Sequence, residues 1–328
     1  MAQPALDQFR KRLLTLKQEV TEGTDSLPTA LANAILLMEG QSSTEGDVVD
    51  RDIDRAFFGA RPFSFTNKRA MIEGMFELFP PATPGAASTS DAACAPLLLP
   101  AGMAVVKNLG AKTSRYNPVS SGIPSSTAYW YHNDMLMKVL GARHDISDLS
   151  ITIGGRFQGR VRVMGRYDTV AADTLPNGTL YTDIPVVASY DNTQAHITNP
   201  VGGSALLVWA KSLSVSFANE LGTREYSSHK VNTISDRQPT WSMRIARTAL
   251  ADFNPWAARD ANVIIGAKMR VYQNALVGRY SELGIRGQIE QVQVVDIDGD
   301  TGFELSGRCV PSNTGGDELY IEFGDTTP

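Results

Sequence analysis

From Ser126 onward the sequence is a succession of short β-branched and aromatic segments separated by turn residues. STAYWYHND, MLMKVLGAR, DLSITIGG and RVRVMGRY come first. LLVWAKSLSVSFA, TWSMRIART, AKMRVYQN, IEQVQVV and GFELSGRCV follow a stretch punctuated by Pro, Asn and Gly. Their partial two-residue alternation is the mark of strands with one buried face. Long helical patterns are scarce, so a mainly β protein is expected.

The strands also repeat. Tyr131-His132-Asn133 is echoed by Tyr272-Gln273-Asn274, Gly141-Ala142-Arg143 by Gly284-Ile285-Arg286, and Gly165-Arg166 by Gly307-Arg308, at separations of 141, 143 and 142 residues. Three echoes in one order at near-constant spacing point to a duplicated β unit. Upstream, Lys68–Leu78 corresponds loosely to Thr240–Leu250. The expected organisation is an N-terminal arm over 1–30, a first β unit over 31–170, a connection over 171–204 and a second, related β unit over 205–328.

In front of the first unit, Leu6, Phe9, Leu13, Leu16 and Val20 fit one face of a short amphipathic helix or a docking arm. AILLMEG and KRAMIEGMFEL read as strands joined by a long acidic connection. Residues 79–96, rich in Pro, Ala and Ser, read as a surface loop, and PLLLPAGMAV as a short helix.

At 328 residues the chain has room for two domains or one large β domain, and a 20% share of charged residues is globular rather than disordered. The net charge of −5 gives no basic footprint for gripping nucleic acid. Two cysteines, Cys94 and Cys309, are too few for a disulfide framework or a cysteine zinc site. The N-terminus lacks the pattern of a secretion signal, and no apolar run approaches the ~20 residues that span a bilayer. Folding in a reducing cytoplasm is the expectation, with no membrane partner.

Residues 294–308, VVDIDGDTGFELSGR, invite a calcium reading through Asp296, Asp298 and Asp300. An EF-hand loop counted from Asp296 would need Gly and Glu where Thr301 and Gly307 stand. Asp298-Gly299 reads instead as a hairpin turn, since both residues tolerate positive φ. His132, His144, His196 and His229 match no metal or catalytic spacing and are expected to be exposed or to cap strands. No nucleophile elbow, Walker loop or dinucleotide fingerprint is present. No enzyme, cofactor or metal site is therefore expected.

One loop asks for a function. Residues 45–54, EGDVVDRDID, mix acids with Val48, Val49 and Ile53 and run into Phe57-Phe58. A merely solvated loop needs no such apolar residues. Glu45, Asp47, Asp50, Arg51, Asp52, Asp54, Phe57 and Phe58 are candidates for docking on another copy or another protein.

Several short motifs, in order, resemble the major tail tube proteins of long-tailed, non-contractile bacteriophages. They are Lys17-Gln18-Glu19, Glu22-Gly23-Thr24-Asp25, Pro28-Thr29, Ala32-Asn33-Ala34-Ile35, Val48-Val49-Asp50-Arg51 and Tyr116-Asn117-Pro118-Val119-Ser120. Tyr129-Trp130-Tyr131, Gly141-Ala142-Arg143, Gly155 and Gly165-Arg166-Tyr167 continue the series, which closes with Asp298-Gly299 and Gly316-Asp317-Glu318-Leu319, Ile321 and Phe323. The Pro/Ala/Ser loop at 79–96 departs from it.

The resemblance implies two tail-tube units in tandem, sandwich- or barrel-like, with a short helix and an N-terminal arm. It implies self-assembly into rings stacked as a hollow tube that delivers DNA, with loop and arm bridging rings. Ring closure would also remove exposed strand edges. The partners implied are the chain itself and the tape measure, tail terminator and tail tip proteins. The location is the virion tail, after assembly in the host cytoplasm. With two units per chain, a trimeric ring of hexamer-like symmetry is favoured over a hexamer. DNA would slide past lumen acids, for which Asp148 and Glu290 are candidates, without specific binding. The alternative is a carbohydrate-binding β-sandwich of the tail tip, with Trp130, Tyr131, Trp209 and Trp241 stacking on sugars.

Overall fold

The segment expected to be a short amphipathic helix or a docking arm is, over most of its described residues, a strand. Arg12–Gln18 (β1) turns Leu14 and Leu16 into the core and buries Thr15 as well. The structure, a computed structural model, describes residues 11–326 apart from 52, 55, 57, 58, 87–91, 179–184 and 275. After β1 come a single helical turn α1 (Ala30–Asn33), β2 (Ala34–Ile35), β3 (Met38–Asp50) and β4 (Phe63–Glu77). The short helix expected near Pro96 is α2 (Ala95–Leu98), continued by a 3₁₀ turn over Leu99–Ala101. Then follow β5 (Met103–Asn108), β6 (Thr113–Pro118), β7 (Ser126–His132), β8 (Met135–Thr152) and β9 (Gln158–Ala172).

The second half holds β10 (Thr193–Thr198), β11 (Ala205–Val208), β12 (Ala210–Ser216), β13 (Asn219–Tyr226), β14 (His229–Arg237) and β15 (Thr240–Ala246). The helix α3 (Pro255–Asp260) separates these from β16 (Ile264–Asn274), β17 (Val277–Ile297), β18 (Asp300–Cys309) and β19 (Leu319–Asp325). The protein is mainly β, built on a large antiparallel sheet that does not close into a barrel. A two-stranded ribbon of β13 and β14 stands apart from it.

Four strands of the first half pair in the order β7-β8-β9-β4, with β1 outside β7 and β3 outside β4. Four of the second half pair as β16-β17-β18-β15, with β10 outside β16 and β12 outside β15. β1 and β10 also pair with the short strands β2 and β11. The two halves meet where β12 pairs with the end of β8, Leu213 opposite Ile151 and Val215 opposite Leu149, all four side chains buried. A further bridge runs from β17 through β19 to β6. One apolar core runs through both halves, from Leu14, Ile72 and Phe76 to Met243, Leu305 and Phe323.

Three expectations are corrected. The acidic connection after AILLMEG is largely a strand, because β3 and β4 form one long hairpin, paired from Met38↔Met75 out to Asp50↔Phe63. MLMKVLGAR and DLSITIGG are one strand, not two. Gly141, at φ 59°, makes a bulge in β8 where the sequence suggests a turn. The connection 171–204 contains β10, fully paired with β16.

Candidate functional site

Since all these strands meet in antiparallel ladders, the chemistry a free edge offers is further strand pairing. The β3–β4 hairpin offers one such edge. Val48, Val49, Phe63 and Phe65 are exposed along it. Glu45 pairs with Arg69 at 3.1 Å, and Asp47 accepts from Asn67 Nδ2 at 2.9 Å. Asp50 ends β3 opposite Phe63, the Arg51 N–H donates to the Pro62 carbonyl, and Asp54 is exposed beyond it. Asp52, Phe57 and Phe58 lie outside the described residues. Among the described residues β3 pairs with no strand but β4, and Arg12 donates to its Gly40 carbonyl.

The hairpin of the second half makes intimate contacts instead. β12 and β13 run on from one another, as do β14 and β15, and this ribbon crosses β8. Asn219 donates from its side chain to the carbonyls of Ala101 and His144, at 2.8 and 3.0 Å. Its backbone N–H donates to Asp145 at 2.9 Å. Asn232 Nδ2 donates to the Gly141 carbonyl at 3.1 Å, and Arg143 Nε donates to the Asn232 carbonyl.

Beneath that crossing, buried Glu19 collects four donors. Its Oε1 accepts from Thr127 Oγ1 and the Gly141 N–H, both at 2.8 Å, and its Oε2 from the Gly23 N–H and Ser125 Oγ, both at 2.7 Å. Glu22 pairs with Arg143 at 3.2 Å. Carboxylates thus fill the outer face of the first half around Gly141.

The corresponding region near Gly284 is cationic and open. A cavity of about 360 Å³ is lined by Arg115, His196, Lys268, Arg286, Asp317 and Tyr320. Arg115 stacks on Tyr320 at 3.6 Å, and Tyr320 donates to buried Glu282. Burial, and then Lys268, lower the His196 pKa. β17 runs past this site into a tail that pairs with β18 on one edge. Its pairing with β16 on the other ends at Gln288. Among the described residues no strand lies beside that edge over 289–297, and Val294 is 62% exposed.

Asp148 and Glu290 both sit exposed at bulges, in β8 and β17. Desolvation by neighbouring side chains raises the Asp148 pKa against the pull of Arg160, which stands opposite it. Glu290 pairs with Arg308 at 2.6 Å. Each acid therefore has an arginine beside it.

The stretch at 294–308 is a two-residue hairpin, with Asp298 at φ 55° and Gly299 at φ 95°. Asp296 accepts the Gly299 N–H, and Asp298 pairs with Lys211. Among the described residues no group of His, Cys, Asp or Glu is arranged to hold a metal ion. Cys94 and Cys309 are buried free thiols, both pushed up to about 12 by burial.

Two further expectations fail on burial. His144 is fully buried, its ring between Ser126 Oγ and the Leu97 carbonyl, both at 2.9 Å, and desolvation lowers its pKa to about 4. Of the aromatic residues offered for sugar stacking, Trp130, Tyr131 and Trp241 are buried, leaving only Trp209 exposed. The open β17 edge and the cationic cavity went unread in the sequence. The one trace of the edge is VQVV, more apolar than a strand tail facing only water requires. No protein-family model and no curated protein matches the chain.

Proposed function

We propose that this chain is a structural subunit that assembles with copies of itself into rings, stacked as a hollow tube for DNA. The observation that carries the reading is the common pairing order, β1-β7-β8-β9-β4-β3 in one half and β10-β16-β17-β18-β15-β12 in the other. Under this reading the halves are copies of one unit, joined edge to edge by β8 and β12. Each copy has a bulge at one place in its long strand, between Ile146 and Asp148 and between Ile289 and Gln291.

Matching those bulges keeps two of the sequence echoes, Tyr131 with Tyr272 and Gly141 with Gly284. The third slips by four residues, because Ile146 faces Val161 whereas Ile289 faces Gly307. Val161, not Gly165, is then the partner position of Gly307.

A chain of two like units joined side by side needs only three copies to complete a ring with hexamer-like symmetry. Asp148 and Glu290 fall next to the matched bulges. The matching sets Glu290 against Ser147 and Asp148 against Gln291, so the two acids are one residue out of register, with Arg308 and Arg160 as close neighbours. Burial of three of the four stacking aromatics weighs against the sugar-binding alternative. Negative-stain microscopy of the purified chain tests the reading. Rings or tubes are expected, and discrete monomers at every concentration would overturn it.

A further inference from the structure

Within one chain, the β12–β15 hairpin adds its edge to β8 of the first half and lays its ribbon across that half. The β3–β4 hairpin holds the matching place in its own half but has no such partner, and β17, which matches β8, lacks a strand where β8 receives β12. We infer that these two edges belong together in trans: the β3–β4 hairpin of one copy of this chain pairs with β17 of the next and crosses the cationic cavity there. The inference rests on the ring reading and deepens it by naming the surfaces that join.

The register follows from the ladders. Val215 lies opposite Trp241, Trp241 opposite Gly307, and Gly307 opposite Ile289 beside the β17 bulge. In the first half, Ile146 beside the β8 bulge faces Val161, Val161 faces Gly74, and a Cβ on Gly74 would stand 3.3 Å from the Gly40 Cα. Gly40 is then the counterpart of Val215; because residues 39 and 40 bulge opposite Gly74, Met38 faces Met75 and is the counterpart of Ser214, which faces Ser242. Leu149 and Ile151 carry over to Val292 and Val294. The same matching takes Val48↔Phe65 onto Thr223↔Asn232 and Asp50↔Phe63 onto Glu225↔Lys230. It therefore holds from the base of the hairpin to its tip. Ser150 likewise carries over to Gln293, so the internal contact Ser214↔Ser150 predicts Met38↔Gln293 between copies.

Exposure agrees with this. Leu213 and Ile151 are fully buried by their mutual contact, while Val294 is 62% exposed. Asn232 meets Gly141 in the internal crossing. Its counterpart Phe65, with Val48 opposite, would meet Gly284 and Arg286 beside the cavity. In the first half that place is occupied by the carboxylates of Glu19 and Glu22. In the second half Thr198 takes the place of Glu19, and Arg115, Lys268 and Arg286 line an open hollow. Asp317 lines the same hollow, and Glu322 and Glu282 stand beside Arg115 and Lys268, so the hairpin acids Asp47, Asp50 and Asp54 add to a site whose cations are already partly met. The partner is thus a second copy, docked beside its neighbour rather than above it.

The test is a chain carrying Met38→Cys and Gln293→Cys, oxidised mildly and read on a non-reducing gel beside a native mass measurement. The native thiols are buried and do not compete. Most of the double variant is expected to become disulfide-linked multimers, with neither single variant doing so. Amide exchange in the unmodified protein should slow at Val292–Val295 and Met38–Thr44 on assembly. Rings that form without the cross-link and without that protection would overturn the edge pairing and leave the tube reading standing. Cross-linked open pairs that never close into rings would support the pairing and overturn the tube. Monomers with neither signal would overturn both.

Discussion

His144 should make this protein lose stability in mild acid by a calculable amount. Its ring is fully buried between the Leu97 carbonyl and Ser126 Oγ, so the neutral form donates one hydrogen bond and accepts the other. Protonation would put a charge into an apolar site, and the pKa falls from 6.5 to about 4. The unfolded chain takes up the proton as pH drops through about 6.5, whereas the folded chain resists until about 4. The contribution is therefore complete above pH ~7 and is lost between pH ~6.5 and ~4. It amounts to about 2 kcal/mol lost by pH ~5 and about 3 kcal/mol by pH ~4.

Carboxylates titrate in part of that window, so the quantity to measure is the difference between the native protein and His144→Gln. Glutamine can still donate to Leu97 but takes no proton. Denaturant unfolding at a series of pH values from 8 to 4.5 gives it. The advantage of the native protein over the variant should shrink by about 2 kcal/mol by pH ~5. A difference that stays constant with pH would refute the claim that the ring is held neutral.

Two other substitutions probe the frame. Glu19→Ala strands four donors on and around Gly141 and should cost about 4 kcal/mol, taking roughly 1 kcal/mol for each; chemical denaturation reads the loss. Leu213→Ala empties a buried site at the join between the halves and should cost about 2–5 kcal/mol. If the join is one cooperative seam, the unfolding transition should remain single.

Much of the β architecture was legible because alternation survives wherever one face of a strand is buried, as in RVRVMGRY and TWSMRIART. It failed where burial departs from that pattern. β1 buries Leu14, Thr15 and Leu16 in succession, so its apolar spacing also fits a helix. β3 is exposed along most of its length, so it carries little apolar signal and resembles an acidic loop. Gly141 in β8 looks like a turn because a bulge and a turn both use positive φ. The candidate site was legible only in its acids and apolar residues at 45–54. Its other side, the β17 edge and the cavity by Arg286, depends on which strands end early. That is a property of pairing between distant segments, and no local pattern carries it.

The central claim is that each chain brings two like units to a closed ring through strand edges. Native mass spectrometry of the assembled ring tests it most directly. The account predicts a closed species of three chains, three times 35.5 kDa. A closed ring of six chains, or a chain that stays monomeric at every concentration, would contradict it.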